Sequence, residues 1–282
     1  MASFPPSVVL GRSGLQVCPL GVAGGYGVEE RALLEAFERG ANYWYHGSLR
    51  CQGMSAAVRS VTRAGKRDGL VVVLQSYSRW AWLLERSFRS GLKSLGLEYA
   101  DVLLLGLFNS SPPAAIVERA LGLQKSGLVR HIGISAHRRP AFLEFGAQST
   151  YDVLHIRYSP AHPGAELDVF PKLPTPNRAG IVAYTATRWG QLLDARRTPE
   201  GEAPLRASDC YRFVLSNSDF NVCMTGPRNG AELREALTTL DEGPLSPEEM
   251  AHVRRIGQYV RAQRSLYQKL RAGRGALLSG NS

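Results

Sequence analysis

The sequence has few cysteines, no long hydrophobic run and no basic leader segment. Its four cysteines form no CxxC pair and fit no zinc-ligand spacing, which predicts a protein without a metal site. No run of about 18 apolar residues occurs, so neither a membrane span nor a membrane partner is predicted. The first residues lack the regions of a secretory signal, and Cys18 and Cys223 lie within apolar runs. We therefore expect a cytoplasmic protein with reduced, buried thiols.

The charge of the chain is one-sided. Lysine and arginine number 34 against 24 acidic residues, which gives a net charge of +10 at pH 7. A basic balance favours an anionic partner. The arginines are spread along the chain, and their densest stretch, residues 254–274, is typical of a solvated helix face. We therefore expect a small-molecule substrate or ligand, with an anionic one among the alternatives, and no nucleic-acid partner.

Short apolar runs alternate with segments of helical periodicity along most of the chain. The runs are rich in Val, Ile and Leu, which is typical of strands buried on both faces of a parallel sheet. Eight strands are predicted, at residues 17–22, 41–45, 70–75, 101–105, 129–135, 153–158, 180–184 and 222–225. Helices are predicted between them, at residues 29–38, 80–94, 113–125, 139–146 and 231–240.

Eight successive βα units favour a closed barrel over an open doubly wound sheet. Two segments lie outside this repeat. Residues 7–15 predict a β-hairpin, and residues 246–272 predict a helix that starts with a capping serine, a proline and two acids. Residues 160–179 hold five prolines and predict a long loop. The predicted fold is an α/β (β/α)₈ TIM barrel with an N-terminal β-hairpin and an extra C-terminal helix, in one domain over residues 1–282.

Six segments, in order along nearly the whole chain, resemble the aldo-keto reductase superfamily. They are LGRSGLQVCPLG (10–21), LGLEYADVLLL (95–105), KSGLVRHIGIS (125–135), IVAYT (181–185), TGPRNGAEL (225–233) and LSPEE (245–249). The resemblance implies NADPH-dependent reduction of aldehydes and ketones at the barrel mouth. In this family a tyrosine donates the proton, a lysine paired with an aspartate lowers the tyrosine's pKa, and a histidine orients the carbonyl.

This sequence departs from the family at all four of those positions. Tyr45 stands at the aspartate position, Arg50 at the tyrosine position, Gln75 at the lysine position and Gly106 at the histidine position. No acidic residue occurs between Glu38 and Asp68, so a shifted alignment does not restore the aspartate. The sequence therefore predicts a divergent active site that does not carry out the family's standard carbonyl reduction.

The remaining polar residues suggest a rebuilt mouth. We expect the Tyr45 hydroxyl to lie near the place of the family's acid, with Gln75 at the next strand end and His155 as the partner of Tyr45. Arg50 or Arg157 would lower the pKa of Tyr45 or bind an anionic substrate. In the alternative interpretation, Tyr45 plugs the mouth and His155 is a hydrogen-bonded core histidine.

The resemblance also implies a partly retained NADP(H) site. Tyr184, followed by Thr185, matches the aromatic residue on which the family stacks its nicotinamide. Ser135 matches one of two residues that hold the carboxamide, whereas Ala136 and His155 replace other contacts. Four residues match the loop that grips the adenosine phosphate, namely Thr225, Gly226, Arg228 and Asn229. A guanidinium at position 228 suits a 2′-phosphate. The alternative is a solvated loop arginine and a core tyrosine.

Three functions remain open at this point. The chain is a divergent NADP(H)-linked oxidoreductase, a catalytically dead pseudoenzyme that binds or regulates, or a cofactor-free barrel enzyme such as an isomerase, lyase or cyclase. An accessible pocket lined by Tyr45, Gln75 and His155 would favour either enzyme. A mouth filled by Tyr45 and Trp44 would favour the pseudoenzyme.

Overall fold

A short β-hairpin precedes the barrel and packs against its interior. The computed structural model describes residues 3–47 and 50–278, with side chains as far as residue 263. Strand β1 (Val8–Val9) pairs antiparallel with β2 (Gln16–Val17), and the turn uses Gly11 at a φ of 48°. A side chain there would overlap the backbone of Gly180, so the turn requires glycine. The predicted hairpin is confirmed, although its second strand lies just beyond residues 7–15.

Eight parallel strands form a closed barrel. They are β3 (Leu20–Ala23), β4 (Tyr43–His46), β5 (Val71–Ser76), β6 (Ala100–Leu105), β7 (Val129–Ala136), β8 (Val153–Arg157), β9 (Gly180–Tyr184) and β10 (Val222–Thr225). Neighbours follow the order of the chain, and β10 closes on β3. All eight predicted strands are confirmed. The first one was predicted too long, because Pro19 has no N–H for a ladder and separates Val17 from the barrel strand.

Helices cover the outside of the barrel. They are α1 (Glu30–Glu38), α2 (Gln52–Arg63), α3 (Ala81–Leu95), α4 (Ala114–Lys125), α5 (Ala141–Ala147), α6 (Ala165–Asp168), α7 (Ala207–Leu215), α8 (Gly230–Glu242) and α9 (Pro247–Leu278). The predicted extra C-terminal helix is confirmed as α9. None of the helices in the described part of the chain is long and apolar enough to cross a membrane.

The barrel interior is packed with side chains and is not a pore. Its buried cluster comprises Leu10, Val17, Tyr43, Val71, Val73, Val102, Leu104, Val153, Val182, Val222 and Met224. At the other end from the hairpin, Tyr45 and Tyr184 pack against this cluster and remain partly exposed. These two tyrosines therefore mark the end of the packed interior at the carboxyl ends of the strands.

An ion-pair cluster joins the amino-terminal ends of β5, β6 and β7. The buried Asp101 carboxylate accepts a hydrogen bond from the Val72 N–H at 2.8 Å. It also pairs with Arg67 at 2.8 Å and with Arg130 at 3.3 Å. Both guanidinium groups lie over the Tyr99 ring, 4.4 and 4.3 Å from its centroid. Because barrel enzymes work at the opposite face, we interpret this cluster as a stabilising one.

Candidate functional site

The inward-facing polar residues lie at the carboxyl ends of five barrel strands. Each of these residues lies within two positions of the last residue of its strand: Tyr45 in β4, Gln75 in β5, Ser135 in β7, His155 in β8 and Tyr184 in β9. Side chains alternate along a strand, so each of these residues lies two positions beyond an interior residue such as Tyr43 or Val73. This end of a (β/α)₈ barrel is the one that carries active sites.

Tyr45 contacts Gln75. The Tyr45 hydroxyl donates to the Gln75 Oε1 at 3.0 Å. Burial raises the pKa of Tyr45 above its usual range, and a hydrogen bond with Tyr77 raises it further. The largest influences on this pKa include no arginine, and Arg50 lies exposed in the loop after β4, at a φ of 53°. The predicted lowering of this pKa is therefore wrong, because burial outweighs any cation at the mouth.

The Gln75 amide occupies the space left by the missing side chain at Gly106. A Cβ at Gly106 would overlap the Gln75 Nε2 and would lie 3.0 Å from the Ser135 Oγ. Ser135 is buried, and its hydroxyl donates to the Leu105 carbonyl at 3.4 Å, the outer limit of a hydrogen bond. The long amide side chain of Gln75 and the absence of a side chain at Gly106 therefore fit each other sterically.

His155 has a different partner from the predicted one. Its Nε2 lies 2.9 Å from the hydroxyl of Tyr43, and both side chains are buried. The ring centroid of Tyr45 is 6.3 Å from that of His155. Burial lowers the pKa of His155 to about 3, so the imidazole is neutral at physiological pH. Sequence reasoning missed Tyr43, although its position two residues before Tyr45 places it on the same strand face.

Trp44 does not fill the mouth. It points to the opposite side of β4, where its ring packs edge-on against Phe37 with centroids 6.0 Å apart. Its indole N–H donates to the Ala41 carbonyl at 2.8 Å.

On the far side of the mouth, the Arg157 guanidinium lies 3.0 Å from the His162 Nε2 and 5.1 Å from the Trp189 ring centroid.

A strained segment follows β9. Thr185, Arg188 and Trp189 have φ values of 60°, 53° and 53°, which non-glycine residues adopt rarely and usually at functional sites. The Thr185 Oγ1 is buried without a hydrogen-bond partner among the described residues. The neighbouring Tyr184 hydroxyl donates to the Ala136 carbonyl at 2.9 Å. The buried Arg188 donates to the Val260 carbonyl at 2.9 Å, which fastens this segment to α9.

The end of β10 and the loop that joins it to α8 contain a buried side chain, that of Thr225, and an exposed one, that of Arg228. Thr225 is buried and donates to the Tyr211 hydroxyl at 2.9 Å, and the Tyr26 ring lies against the exposed Gly226, where it takes the place of a side chain. Neither of these residues presents a side chain to solvent. Arg228 is exposed, and its Nε lies 2.8 Å from the Glu232 Oε1. Arg228 is therefore the side chain of this loop that can reach an anion.

The first turn of α8 already binds carboxylate and amide oxygens. The Asn229 Oδ1 accepts from the Glu232 N–H at 3.0 Å, as an N-cap. The Glu29 Oε1 accepts from the Gly230 N–H at 2.9 Å. These contacts are the kind that a phosphate makes at a helix N-terminus. A phosphate would therefore have to displace Glu29 and separate Arg228 from Glu232.

Three side chains among these residues have polar groups that the protein's own contacts leave unfilled or hold weakly. Thr185, whose hydroxyl has no partner in the described structure, follows Tyr184 at the end of β9. Ser135, whose hydroxyl is weakly bonded, precedes Ala136 at the end of β7. Arg228 is held by an exposed ion pair with Glu232, and such a pair is weak and exchangeable. No group of three or more His, Cys, Asp or Glu side chains that could hold a metal occurs in residues 3–47 and 50–263.

The closed barrel, the hairpin before it and the helix after it define the aldo-keto reductase fold. Two similar solved structures are the holo and apo forms of the aldo-keto reductase AKR11C1 from Bacillus halodurans. The holo form has a TM-score of 0.71 and 21% identity, and the match covers 89% of this chain and 95% of that chain. The apo form has a TM-score of 0.69 and 20% identity with the same coverage. No protein-family model and no curated protein match the sequence.

Proposed function

We propose that this chain binds NADP(H) at the barrel mouth and acts as a divergent oxidoreductase without the family's acid–base set. The observation that carries the proposal is Thr185, whose buried hydroxyl has no partner in the described structure and whose backbone is strained. A buried orphan hydroxyl is costly, and a ligand that accepts its hydrogen bond removes the cost. The similar structure from Bacillus halodurans is titled a holo form, which is consistent with this proposal.

The chain's own residues divide the work of binding. The Tyr184 ring offers a stacking surface, and the hydroxyls of Ser135 and Thr185 donate to the nicotinamide end. Arg228 replaces its exposed contact with Glu232 by a bidentate one to the 2′-phosphate. The bound cofactor would supply or accept a hydride. Tyr45, whose hydroxyl is protonated at neutral pH like that of any tyrosine and whose pKa is raised further by burial, is the hydroxyl that offers a proton at the mouth.

Titration with NADPH and NADH, followed by tryptophan fluorescence, tests the proposal. We predict tighter binding of NADPH than of NADH, and an Arg228→Ala variant that loses about tenfold in NADPH affinity while NADH is unaffected. Arg234→Ala is the matched control, because Arg234 is an exposed arginine of α8, the helix that follows the Arg228 loop, and pairs with Glu35. Absence of binding at millimolar concentration, or equal loss in both variants, would refute the proposal.

A second candidate, a non-catalytic binding barrel, is favoured by one observation. The pKa of His155 is lowered to about 3 and the pKa of Tyr45 is raised, so neither group titrates near neutrality. General acid–base catalysis works best with groups that do. Tight NADPH binding without loss of the reduced nicotinamide absorbance, across a panel of aldehydes and ketones, would establish this candidate instead.

A further inference from the structure

Helices α2 and α3 form a basic side of the barrel. Residues 39–97 contain ten lysines and arginines against two acidic residues, which accounts for most of the chain's net charge of +10. The exposed basic residues of the two helices are Arg59, Arg63, Arg86, Arg89 and Lys93. Arg59 joins the helices, because its Nη1 donates to the Ser94 carbonyl at 2.8 Å. These basic residues therefore lie on one surface.

On α3 the basic residues form a stripe that begins at a tryptophan. Trp82, Arg86, Arg89 and Lys93 follow one another at intervals of three or four residues, so they share one face of the helix. All four side chains are exposed. At about 1.5 Å per residue the stripe is about 16 Å long, which is enough for several successive phosphates of a nucleic-acid strand.

Few carboxylates neutralise this surface. Helix α2 contains no acidic residue, and α3 contains only Glu85. The Glu85 Oε1 lies 2.8 Å from the Arg89 Nε, and its other oxygen pairs with Arg119 of α4. Arg63 donates to the main-chain carbonyl of Arg59 at 3.3 Å, which is a neutral partner. The surface therefore keeps a surplus of positive charge that attracts an anionic partner.

Exposed aromatic rings border the basic surface at the end nearer the barrel mouth. Trp80 and Trp82 are 63% and 61% exposed, and Tyr77 is 53% exposed. No large aliphatic side chain is exposed beside them in the described part of residues 39–97. Aromatic rings stack on nucleotide bases, whereas insertion into a bilayer also uses leucine and other apolar side chains. The composition of the border therefore favours bases over lipid.

We propose that this surface, which comprises α2, α3 and residues 77–80 before α3, binds a single-stranded nucleic acid. The guanidinium groups and Lys93 contact the phosphates, and Trp80 and Trp82 stack on bases. A duplex does not offer this contact, because its bases are stacked on one another. The sequence alone predicted no nucleic-acid partner because its arginines are spread along the chain, and the fold brings those of α2 and α3 together. The proposal does not depend on the proposed cofactor.

Fluorescence anisotropy of a labelled oligo(dT) strand, titrated with the full chain, tests the surface. We expect binding that weakens as the salt concentration rises, and quenching of the tryptophan emission as bases stack. The double variant Trp80→Ser, Trp82→Ser is expected to lose about tenfold in affinity. Trp189→Ser is the matched control, because Trp189 is also exposed but follows β9.

A charge variant tests the phosphate contacts separately. Arg86→Ala is expected to weaken binding and to lower the slope of log affinity against log salt concentration by about one. Arg234→Ala is the matched control, because Arg234 is an exposed arginine of α8. Both variants change exposed side chains, so their folding is expected to be unaffected.

Three results would overturn the proposal. The first is equal affinity of the wild type, the Trp80 and Trp82 double variant and Arg86→Ala, or equal affinity for oligo(dT) and a duplex of the same length. The second is binding to vesicles of equimolar phosphatidylserine and phosphatidylcholine without binding to oligo(dT), which would identify a membrane instead. The third is a loss of affinity in Arg228→Ala but not in Arg86→Ala, which would place the strand at the loop of the proposed cofactor site.

Discussion

The buried pair of Tyr43 and His155 shows how far single residues could be predicted. The sequence indicated that Tyr45, Gln75 and His155 lie at strand ends, and the structure places them there. It did not indicate their partners, because these depend on barrel curvature and on which strand residues share a layer. The Tyr43 hydroxyl reaches His155 across the interior, whereas Tyr45 bonds to the adjacent strand. Pairing across a barrel is a tertiary property that no local pattern records.

His155 makes stability depend on pH. Its pKa is lowered from 6.5 to about 3 in the folded protein, so the unfolded chain binds the proton first. The stability that the neutral imidazole contributes is therefore present above about pH 6.5 and is lost as the pH falls toward 3. We predict that His155→Gln reduces the slope of unfolding free energy against pH in this window by up to about 1.4 kcal/mol per pH unit.

Urea unfolding between about pH 6.5 and pH 4 measures this slope. His252→Gln is the control for the loss of a histidine at an exposed position, on α9. A slope for His155→Gln equal to that of the wild type would show that the imidazole is not buried in its neutral form.

At the scale of elements, the strands were easier to predict than the helices. Continuous Val, Ile and Leu runs mark strands such as β6, whose residues are all buried. Helix α2 was not predicted, since its buried stripe of Met54, Ala57, Val58 and Val61 includes only small and medium side chains among polar ones. Helix α7 was missed because Arg212, a charged residue, lies in its buried face and pairs there with Glu249.

The N-terminus of α8 carries a prediction about Glu29. Its carboxylate accepts from the Gly230 N–H, where a phosphate of the proposed cofactor would bind, and its negative charge opposes that phosphate. We predict that Glu29→Gln strengthens NADPH binding several-fold and raises the preference for NADPH over NADH. Glu38→Gln, at the other end of α1, is the control. Weaker NADPH binding by Glu29→Gln, measured by the same fluorescence titration, would mean that Glu29 does not compete with the phosphate.

The amino-terminal ends of β5 to β7 carry a prediction about stability. Asp101→Asn leaves two guanidinium groups without their buried counter-charge and should lower the unfolding free energy by about 3 kcal/mol. Asp241→Asn, which breaks an exposed pair with Arg39, should cost less than about 1 kcal/mol. Urea denaturation compares them. Equal unfolding free energies for the two variants would contradict the stabilising role of the cluster.

At the scale of the whole molecule, the sequence was sufficient to predict the fold but not the side-chain packing within the site. Barrel, hairpin and final helix were predicted from periodicity and from a resemblance spread over the chain, and all three are confirmed. The replacement of the four acid–base residues, which the resemblance implies, stays a prediction from the sequence. The fit of the Gln75 amide over Gly106 could not be predicted, because it depends on the placement of side chains. The single domain and the cytoplasmic location stay predictions.

The proposed cofactor site explains why the chain keeps an energetically unfavourable residue at position 185, which the fold alone does not explain. Thr185 keeps a strained backbone and a buried hydroxyl without a partner in the described structure, although valine would fill the same space without that cost. A residue that lowers stability in this way is expected where a ligand uses it. Thr185→Val therefore separates binding from folding, because both residues are β-branched and suffer the same strain.

NADPH titration of the wild type and of Thr185→Val is the most direct measurement of the central claim. The account predicts that the variant binds NADPH about tenfold more weakly while its urea midpoint is unchanged or higher. Unchanged NADPH affinity in Thr185→Val, or a wild-type protein that binds no NADPH, would contradict it.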